Sequence, residues 1–341
     1  MKILWTGDRG FIAGYSIQKL LDEGHTVIGI DNNWKYGKVE KSYDNHKNYH
    51  HFYGNAKSKL LLKALCSFYK PDIMVCGAAL IGGISFFHEF AYDLYSENEK
   101  ICSTFFDVAI EAYQRGDLKK VVAISSSMVY ESADTFPSIE GDERKIPPPL
   151  STYGFQKLSV EYFCQGAHEQ YNLPYTIIRP FNCGGIGETR AKADRDVYSG
   201  NIKLALSHVI PDLIQKVLKG QDPLHILGDG NQIRYYTYGG DIAEGIYRAI
   251  ISDKALNEDF NISTNIGHSV LEVAQKIWER VNPTKEFSYI SDKAYKYDVQ
   301  KRIPSTDKAK ELLGFEARTS LDRILDETIP WITKMMEKNK I

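Results

Sequence analysis

The sequence predicts an α/β fold, a doubly wound parallel sheet completed by a smaller C-terminal lobe. Three observations predict it. Continuously apolar runs such as Ile73-Met74-Val75-Cys76 and Val121-Val122-Ala123-Ile124 alternate with longer helical patterns. Strands without polar alternation belong in a parallel sheet covered on both faces. A glycine-bearing turn, Thr6-Gly7-Asp8-Arg9-Gly10, joins the first strand to the first helix, and after Pro180 the strand–helix rhythm breaks. The 341 residues can bury a large core as one domain or two lobes. The expected division is 1–180 for the sheet domain and 181–341 for the lobe, with some later segments returning to the sheet.

Lys2-Ile3-Leu4-Trp5 reads as the first strand, 14–23 as a helix and Thr26-Val27-Ile28-Gly29-Ile30 as the second strand. Helical patterns cover 58–69, 91–114 and 153–171, and Thr176-Ile177-Ile178 is a further strand. Gly184-Gly185-Ile186-Gly187 opens a polar loop running through Ala191-Lys192-Ala193-Asp194-Arg195-Asp196. Such a charged insertion, 187–200, suits a lid over a ligand. Beyond it come helices at 210–219, 240–251, 269–280 and 320–335, and a strand at His225-Ile226-Leu227.

Composition excludes several classes. Hydrophobic content of 43% and charged content of 25% are those of an ordinary soluble protein. A net charge of -2 gives no electrostatic reason to expect nucleic acid or an anionic membrane. No apolar run approaches the ~20 residues of a membrane span. Cys66, Cys76, Cys102, Cys164 and Cys183 are odd in number, with no C-x-x-C pair. They fit reduced thiols in a cytoplasm better than disulfides or a zinc site, and no metal is expected. Strand-like sequence from Lys2 leaves no room for a signal peptide.

Gly7 and Gly10 permit positive φ and close approach of the backbone to a pyrophosphate. The helix that follows offers free N–H groups and a favourable dipole. The third glycine of such turns is Ala13 here, with Gly14 beside it, and Asp31 ends the second strand. An acid at that remove accepts hydrogen bonds from an adenosine ribose and repels a 2′-phosphate, so NAD is expected rather than NADP. The alternative is a glycine-rich turn without a ligand, and its place between strand and helix argues against that. This is a Rossmann-type arrangement.

Tyr153 and Lys157 stand four residues apart, with Ser125-Ser126-Ser127 upstream. Residues four apart share one helix face. A free tyrosine, with a pKa near ~10, is a poor base at neutral pH, and a cation beside a phenol favours phenolate. A serine hydroxyl can hold the alcohol whose proton the phenolate takes. These are the parts needed to oxidise an alcohol beside a nicotinamide.

Together these residues resemble the extended short-chain dehydrogenase/reductase family, in its NAD-dependent nucleotide-sugar epimerase and dehydratase branch (UDP-glucose 4-epimerase-like), over nearly the whole chain. The marks are Thr6-Gly7-x-x-Gly10-Phe11-Ile12, Asp31-Asn32, Ala78-Ala79, Asn98, Ser125-Ser126-x-x-Val129-Tyr130, Tyr153 with Lys157, Arg179-Pro180-Phe181-Asn182, Gly228-x-Gly230-x-Gln232-x-Arg234, Asp241 and Asn261-Ile262. The resemblance implies that Gly7, Gly10, Phe11, Ile12, Ala78, Ala79 and Asn98 frame NAD. Asp31 and Asn32 would meet the adenosine ribose, Asn55 and Ala56 the adenine, and Lys157 also the nicotinamide ribose. Tyr153, Lys157 and Ser126 would carry the chemistry. Ser126, Ser127, Met128, Asn182, His208 and Arg234 would line the substrate, a UDP-, GDP-, dTDP- or CDP-linked hexose. Arg302 fits a late substrate-binding arginine poorly, because its segment does not fix the register. Asn182 and Arg234 also admit structural readings, a loop bond and an internal ion pair with Asp229 or Asp241. The helices over 91–114 and 153–171 correspond to those that pair across a two-fold axis in relatives, which implies a homodimer.

The family begins by oxidising the sugar C4 hydroxyl. In relatives, a 4,6-dehydratase carries Asp-Glu where Ser127 and Met128 stand, a decarboxylase a glutamate at Met128, and a 3,5-epimerase a cysteine there. Methionine neither gives nor accepts a proton. What remains is re-reduction on the opposite face, which is 4-epimerisation; a simple C4 dehydrogenase or 4-ketoreductase, and a non-catalytic NAD-binding scaffold, are the alternatives.

Overall fold

Seven parallel strands form the central sheet of the computed structural model, which describes residues 1–188, 198–203, 208–294 and 299–341. In chain order the main elements begin with β1 (Lys2–Thr6), α1 (Phe11–Asp22), β2 (Thr26–Asp31), β3 (Tyr49–Tyr53) and α2 (Lys59–Tyr69). Then come β4 (Ile73–Cys76), α3 (Ile84–Glu89), α4 (Ala91–Gln114), β5 (Lys120–Ile124), α5 (Thr152–Tyr171) and β6 (Tyr175–Pro180). The second half supplies α6 (Val209–Leu218), α7 (Gly239–Ile251), β7 (Glu258–Ile262), α8 (Val270–Val281), α9 (Asp307–Leu313) and α10 (Leu321–Glu337).

The strand order is β7-β6-β5-β4-β1-β2-β3. The chain runs outward from β1 to β3, then crosses back to β4, so the order reverses between β1 and β4. In such sheets the ligand crevice opens there, beyond the carboxyl ends of the strands.

Alternate strand residues face opposite cores, as a sheet covered on both sides requires. Trp5, Val75 and Ile178 pack with Ile17 of α1 and Ile246 of α7. Leu4, Met74 and Ile177 pack with Leu62 of α2, Phe105 of α4 and Val160 of α5. A third core joins α6, α8 and α10 through Ile214, Trp278 and Ile324.

Two strands of the central sheet lie outside the sequence expectation. β3 is a sheet edge in which only Tyr49 is buried, so it lacks the apolar run that marks its neighbours. β7 opens with Glu258 and Asp259, and Asp259 is held in the sheet by Arg179 at 2.7 Å and Lys308 at 2.5 Å. Through β7 and α7, residues well past 180 belong to the main sheet domain. Most of the 187–200 insertion lies outside the described residues. No helix among them is long and apolar enough to cross a membrane.

Candidate active site

A cleft of about 890 Å³ opens at the strand-order reversal. Its walls come from the segments that follow the strands: Gly7 and Arg9 to Ala13 after β1, Asp31 and Asn32 at the end of β2, Asn55 and Ala56 after β3, Ala78 and Ala79 after β4, Ser125 to Met128 after β5, and Asn182 after β6.

The floor is backbone. Gly7 has φ +78°, and a Cβ there would stand 2.7 Å from Ala78 Cα, so the turn after β1 touches the turn after β4 without room for a side chain. Thr6 fixes the same junction: its hydroxyl donates to Val75 O at 3.1 Å and accepts from the N–H groups of Gly77 and Ala78, each at 3.2 Å. Serine side chains cap α2 (Ser58) and α5 (Ser151), whereas α1 begins at Gly10, which has no side chain to offer. Phe11, Ile12 and Ala13 therefore present first-turn N–H donors to the cleft, the arrangement that suits a diphosphate.

Asp31 accepts hydrogen bonds from the N–H groups of Asn33 at 2.6 Å and Arg9 at 3.2 Å. Burial raises its pKa, reinforced by the charge of Asp8, and the Asn33 N–H opposes the rise. Asp8 lies fully buried below the turn, bonded to the Tyr49 hydroxyl and to His51 Nδ1 at 2.8 Å. Lys41 reaches Gly10 O at 3.3 Å, and burial, then the charge of Arg9, brings its ammonium down to about 8. Sequence reasoning passed over Asp8, Arg9 and Lys41; Asp8 and Arg9 sit inside the glycine motif as its variable positions.

On the opposite side the three serines diverge. Ser125 donates to Glu161 Oε1 at 2.5 Å and faces the interior. Ser126 caps the short turn Ser127–Tyr130, its Oγ accepting the Met128 N–H at 3.2 Å, which leaves its own proton for a ligand. Lys157 donates to Ile124 O at 2.9 Å from one turn beyond Tyr153 on α5. The Tyr153 ring lies face to face with Phe87, centroids 4.2 Å apart at 12°. Phe87 belongs to α3, a helix that no sequence pattern marks.

Asn182, at φ +34°, gives its carbonyl to the Thr237 N–H at 3.1 Å, and its side-chain Nδ2 is buried without a hydrogen-bond partner. Arg234 is buried in the cleft wall with Nη1 on Ile233 O at 3.0 Å, and the Arg302 backbone N–H reaches the same carbonyl at 3.4 Å. Ile233 pairs with Lys301, which brings Arg302 into the cleft wall with Arg234. His208 Nδ1 meets the buried Glu188 at 2.7 Å. Asn98 departs from expectation. It is 1% exposed, and its amide accepts the Leu80 N–H at 2.6 Å and donates to Leu80 O at 3.0 Å. It anchors the loop after β4 from behind. The other expected site residues all meet in the one cleft.

Residues 3–263 match the model of the NAD dependent epimerase/dehydratase family. The chain belongs to that family, and its cofactor is NAD. Within the family, it is 29% identical to a UDP-N-acetyl-alpha-D-glucosaminuronate decarboxylase of Bacillus cytotoxicus, over 98% of each chain. It is 27% identical to a UDP-glucose 4-epimerase of Halalkalibacterium halodurans, over 97% of this chain and 95% of that one. The solved UDP-glucose 4-epimerase of Thermotoga maritima with UDP-glucose superposes with a TM-score of 0.81 at 26% identity, covering 98% of this chain and all of that one. Two more of the motif residues of this epimerase/dehydratase chain prove architectural. Asp241 accepts the Arg318 and Thr319 N–H groups at 3.1 and 2.9 Å. Asn261 joins the Tyr130 hydroxyl at 3.1 Å to the Ser138 and Ser305 carbonyls.

Proposed function

We propose that this protein is an NAD-dependent nucleotide-sugar 4-epimerase. The observation that carries the reading is Met128, buried at 4% exposure in the cleft wall beside Ser126 and Tyr153. It occupies the place where an acid would serve elimination or decarboxylation, and a thioether transfers no proton.

Gly7, Gly10 and the first turn of α1 would hold the NAD diphosphate, and Asp31 the adenosine ribose. When bound, NAD supplies the acceptor and donor of the C4 hydride. Ser126 donates a hydrogen bond from its hydroxyl to the C4 oxygen and orients it. Tyr153, as phenolate, takes the proton of the C4 hydroxyl as the alcohol becomes a ketone, and gives it back to the C4 oxygen after the sugar has turned its other face. Lys157 supplies positive charge one helix turn away. Arg234, Arg302 and the unpartnered amide of Asn182 suit a nucleotide diphosphate and its sugar. No group is consumed over the cycle, so turnover would need no NAD beyond that already bound. The α4–α5 face leaves Tyr92, Phe155 and Tyr162 exposed, which supports a homodimer formed through these helices.

Glu131 favours a second reading. It lines the cleft with Oε2 on the Ser151 N–H at 2.8 Å and Oε1 buried without a partner. An acid there could serve a 4,6-dehydratase or another reaction following C4 oxidation. Incubation with UDP-, dTDP-, GDP- and CDP-hexoses, without added NAD, separates the two. A C4 epimer is expected. A 4-keto-6-deoxy product would overturn the epimerase reading in favour of Glu131. Tyr153→Phe should lower turnover by about 10²- to 10⁴-fold while bound NAD is retained. Unchanged turnover in that variant would remove Tyr153 from the chemistry.

A further inference from the structure

After β2, Trp34-Lys35-Tyr36-Gly37 forms a strap at the mouth of the cleft, and all four residues line it. The strap is closed on itself: Asn33, whose N–H bonds Asp31, accepts the Gly37 N–H on its carbonyl at 3.0 Å. Trp34 meets Phe86, from the segment after β4, edge to face with ring centroids 6.1 Å apart. Burial lowers the Lys35 pKa and raises that of Tyr36, and the charge of Glu188, from the segment after β6, acts on both. Glu188 bonds His208, which packs against Phe11 with ring centroids 6.3 Å apart. This end of the strap therefore stands by the first turn of α1.

Two polar groups of the strap find no partner within the protein. The Tyr36 hydroxyl is buried without a hydrogen bond. The Lys35 ammonium lies 4.8 Å from the centre of the Tyr36 ring and has no hydrogen-bond acceptor or ion pair among the described residues. Removing a cation and a hydroxyl from water without partners is costly. A diphosphate at the α1 N-terminus offsets both costs, because it brings acceptor oxygens for the two donors and negative charge for the ammonium. The strap faces the backbone floor of Gly7 and Gly10 rather than extending it, so the two surfaces would hold one anion from different sides.

We propose that Lys35 and Tyr36 bind the NAD diphosphate across from the α1 N-terminus, and that the strap retains the cofactor between turnovers. The proposal concerns the cofactor alone and holds whichever reaction follows C4 oxidation. It is tested by mixing NAD-loaded protein with excess isotope-labelled NAD and following exchange by mass spectrometry. Lys35→Met should speed exchange by about 10- to 100-fold, the reach of hydrogen bonds to a charged group. Tyr36→Phe should speed it by a smaller factor, and Lys35→Arg, which keeps the cation, should stay closer to the wild type than Lys35→Met. Lys38→Met removes an exposed charge from the same loop, outside the cleft, and should leave exchange unchanged. Added salt should speed exchange more in the wild type than in Lys35→Met. Unchanged exchange in Lys35→Met overturns the proposal, as does an equal acceleration in Lys38→Met. Calorimetry with UDP on NAD-loaded protein separates the two diphosphates. UDP affinity should be the same in the wild type and Lys35→Met; a loss of UDP affinity with unchanged NAD exchange would give the strap to the substrate and overturn the proposal.

Discussion

The two sides of the cleft are built in different ways. The cofactor side is mostly backbone: Gly7, Gly10, Ala78, Ala79 and the first turn of α1, with Asp31 the main ionisable contact. The chemical side is made of side chains, and a buried charged network lies behind them. Arg179 is fully buried; its Nε and Nη2 bond both oxygens of Glu161 at 2.8 and 2.7 Å. The same guanidinium reaches the Tyr130 hydroxyl at 2.8 Å, Asp259 at 2.7 Å and Glu143 at 3.2 Å. Glu161, on the helix that carries Tyr153 and Lys157, also receives the Ser125 hydroxyl, one residue before Ser126. A backbone surface is sensitive to one added carbon. A side-chain surface depends on its distant supports.

Arg179→Met tests that dependence most severely. It leaves Glu161 buried without its guanidinium and Glu143 with only the exposed Arg144 at 3.4 Å, and breaking a buried pair typically costs about 3–5 kcal/mol. Burial already raises the Glu143 pKa against the pull of Arg179, so loss of the cation should raise it further. Urea unfolding should show the loss, and residual folded protein should turn over poorly while still binding NAD. A change below about 1 kcal/mol, the range of an exposed ion pair, would mean that the network does not support the chemical side.

The cofactor side is tested by a single methyl group. Gly7→Ala forces a left-handed φ on alanine, a cost of about 1–2 kcal/mol, and drives Cβ to within 2.7 Å of Ala78 Cα. NAD retention and the unfolding midpoint should fall together. Gly14→Ala, in the helix that follows the turn, is the control. Its Cβ would meet only the end of the Lys41 side chain at 3.0 Å, and alanine gains up to about 1 kcal/mol of helix propensity. If both variants lose NAD equally, close approach at Gly7 is not what shapes the site.

This contrast also explains what was legible in the sequence. The cofactor turn is contiguous, so Gly7, Gly10 and Asp31 can be read from spacing, and the apolar runs of β1, β2, β4 and β5 announce the sheet. β3 and β7 were not legible, because an edge strand and a strand opening on Glu258-Asp259 carry no apolar run; β7 is held by Arg179 and Lys308, far away in the chain. Tyr153, Lys157 and Ser126 were legible as a set. Their supports at Glu161, Glu143 and Asp259 are ordinary charged residues until the fold brings them to Arg179. Phe87 had no local signal, since a short aromatic helix gains meaning only from the ring it covers. Asn98 was legible as a residue but not as an anchor, which needs the path of the loop after β4.

Asp31 is the exception to a backbone-built side, and it offers the smallest and most specific test. Its carboxylate would accept from the ribose hydroxyls and repel a 2′-phosphate, a contribution of about 1.5–3 kcal/mol for hydrogen bonds to a charged group. Asp31→Asn should therefore weaken NAD binding by roughly tenfold and narrow the preference for NAD over NADP. A pH series should reproduce part of this in the wild type. Burial raises the Asp31 pKa, so its carboxylate is lost at a higher pH than that of an ordinary aspartate, near ~4. As pH falls through that raised value, the acceptor is lost and the repulsion relaxes, so NAD affinity and the NAD-to-NADP ratio should decline together. In Asp31→Asn the ratio should stay flat over the same range. A wild-type ratio that is equally flat would assign the discrimination to the shape of the turn, and the cofactor side would then be backbone throughout.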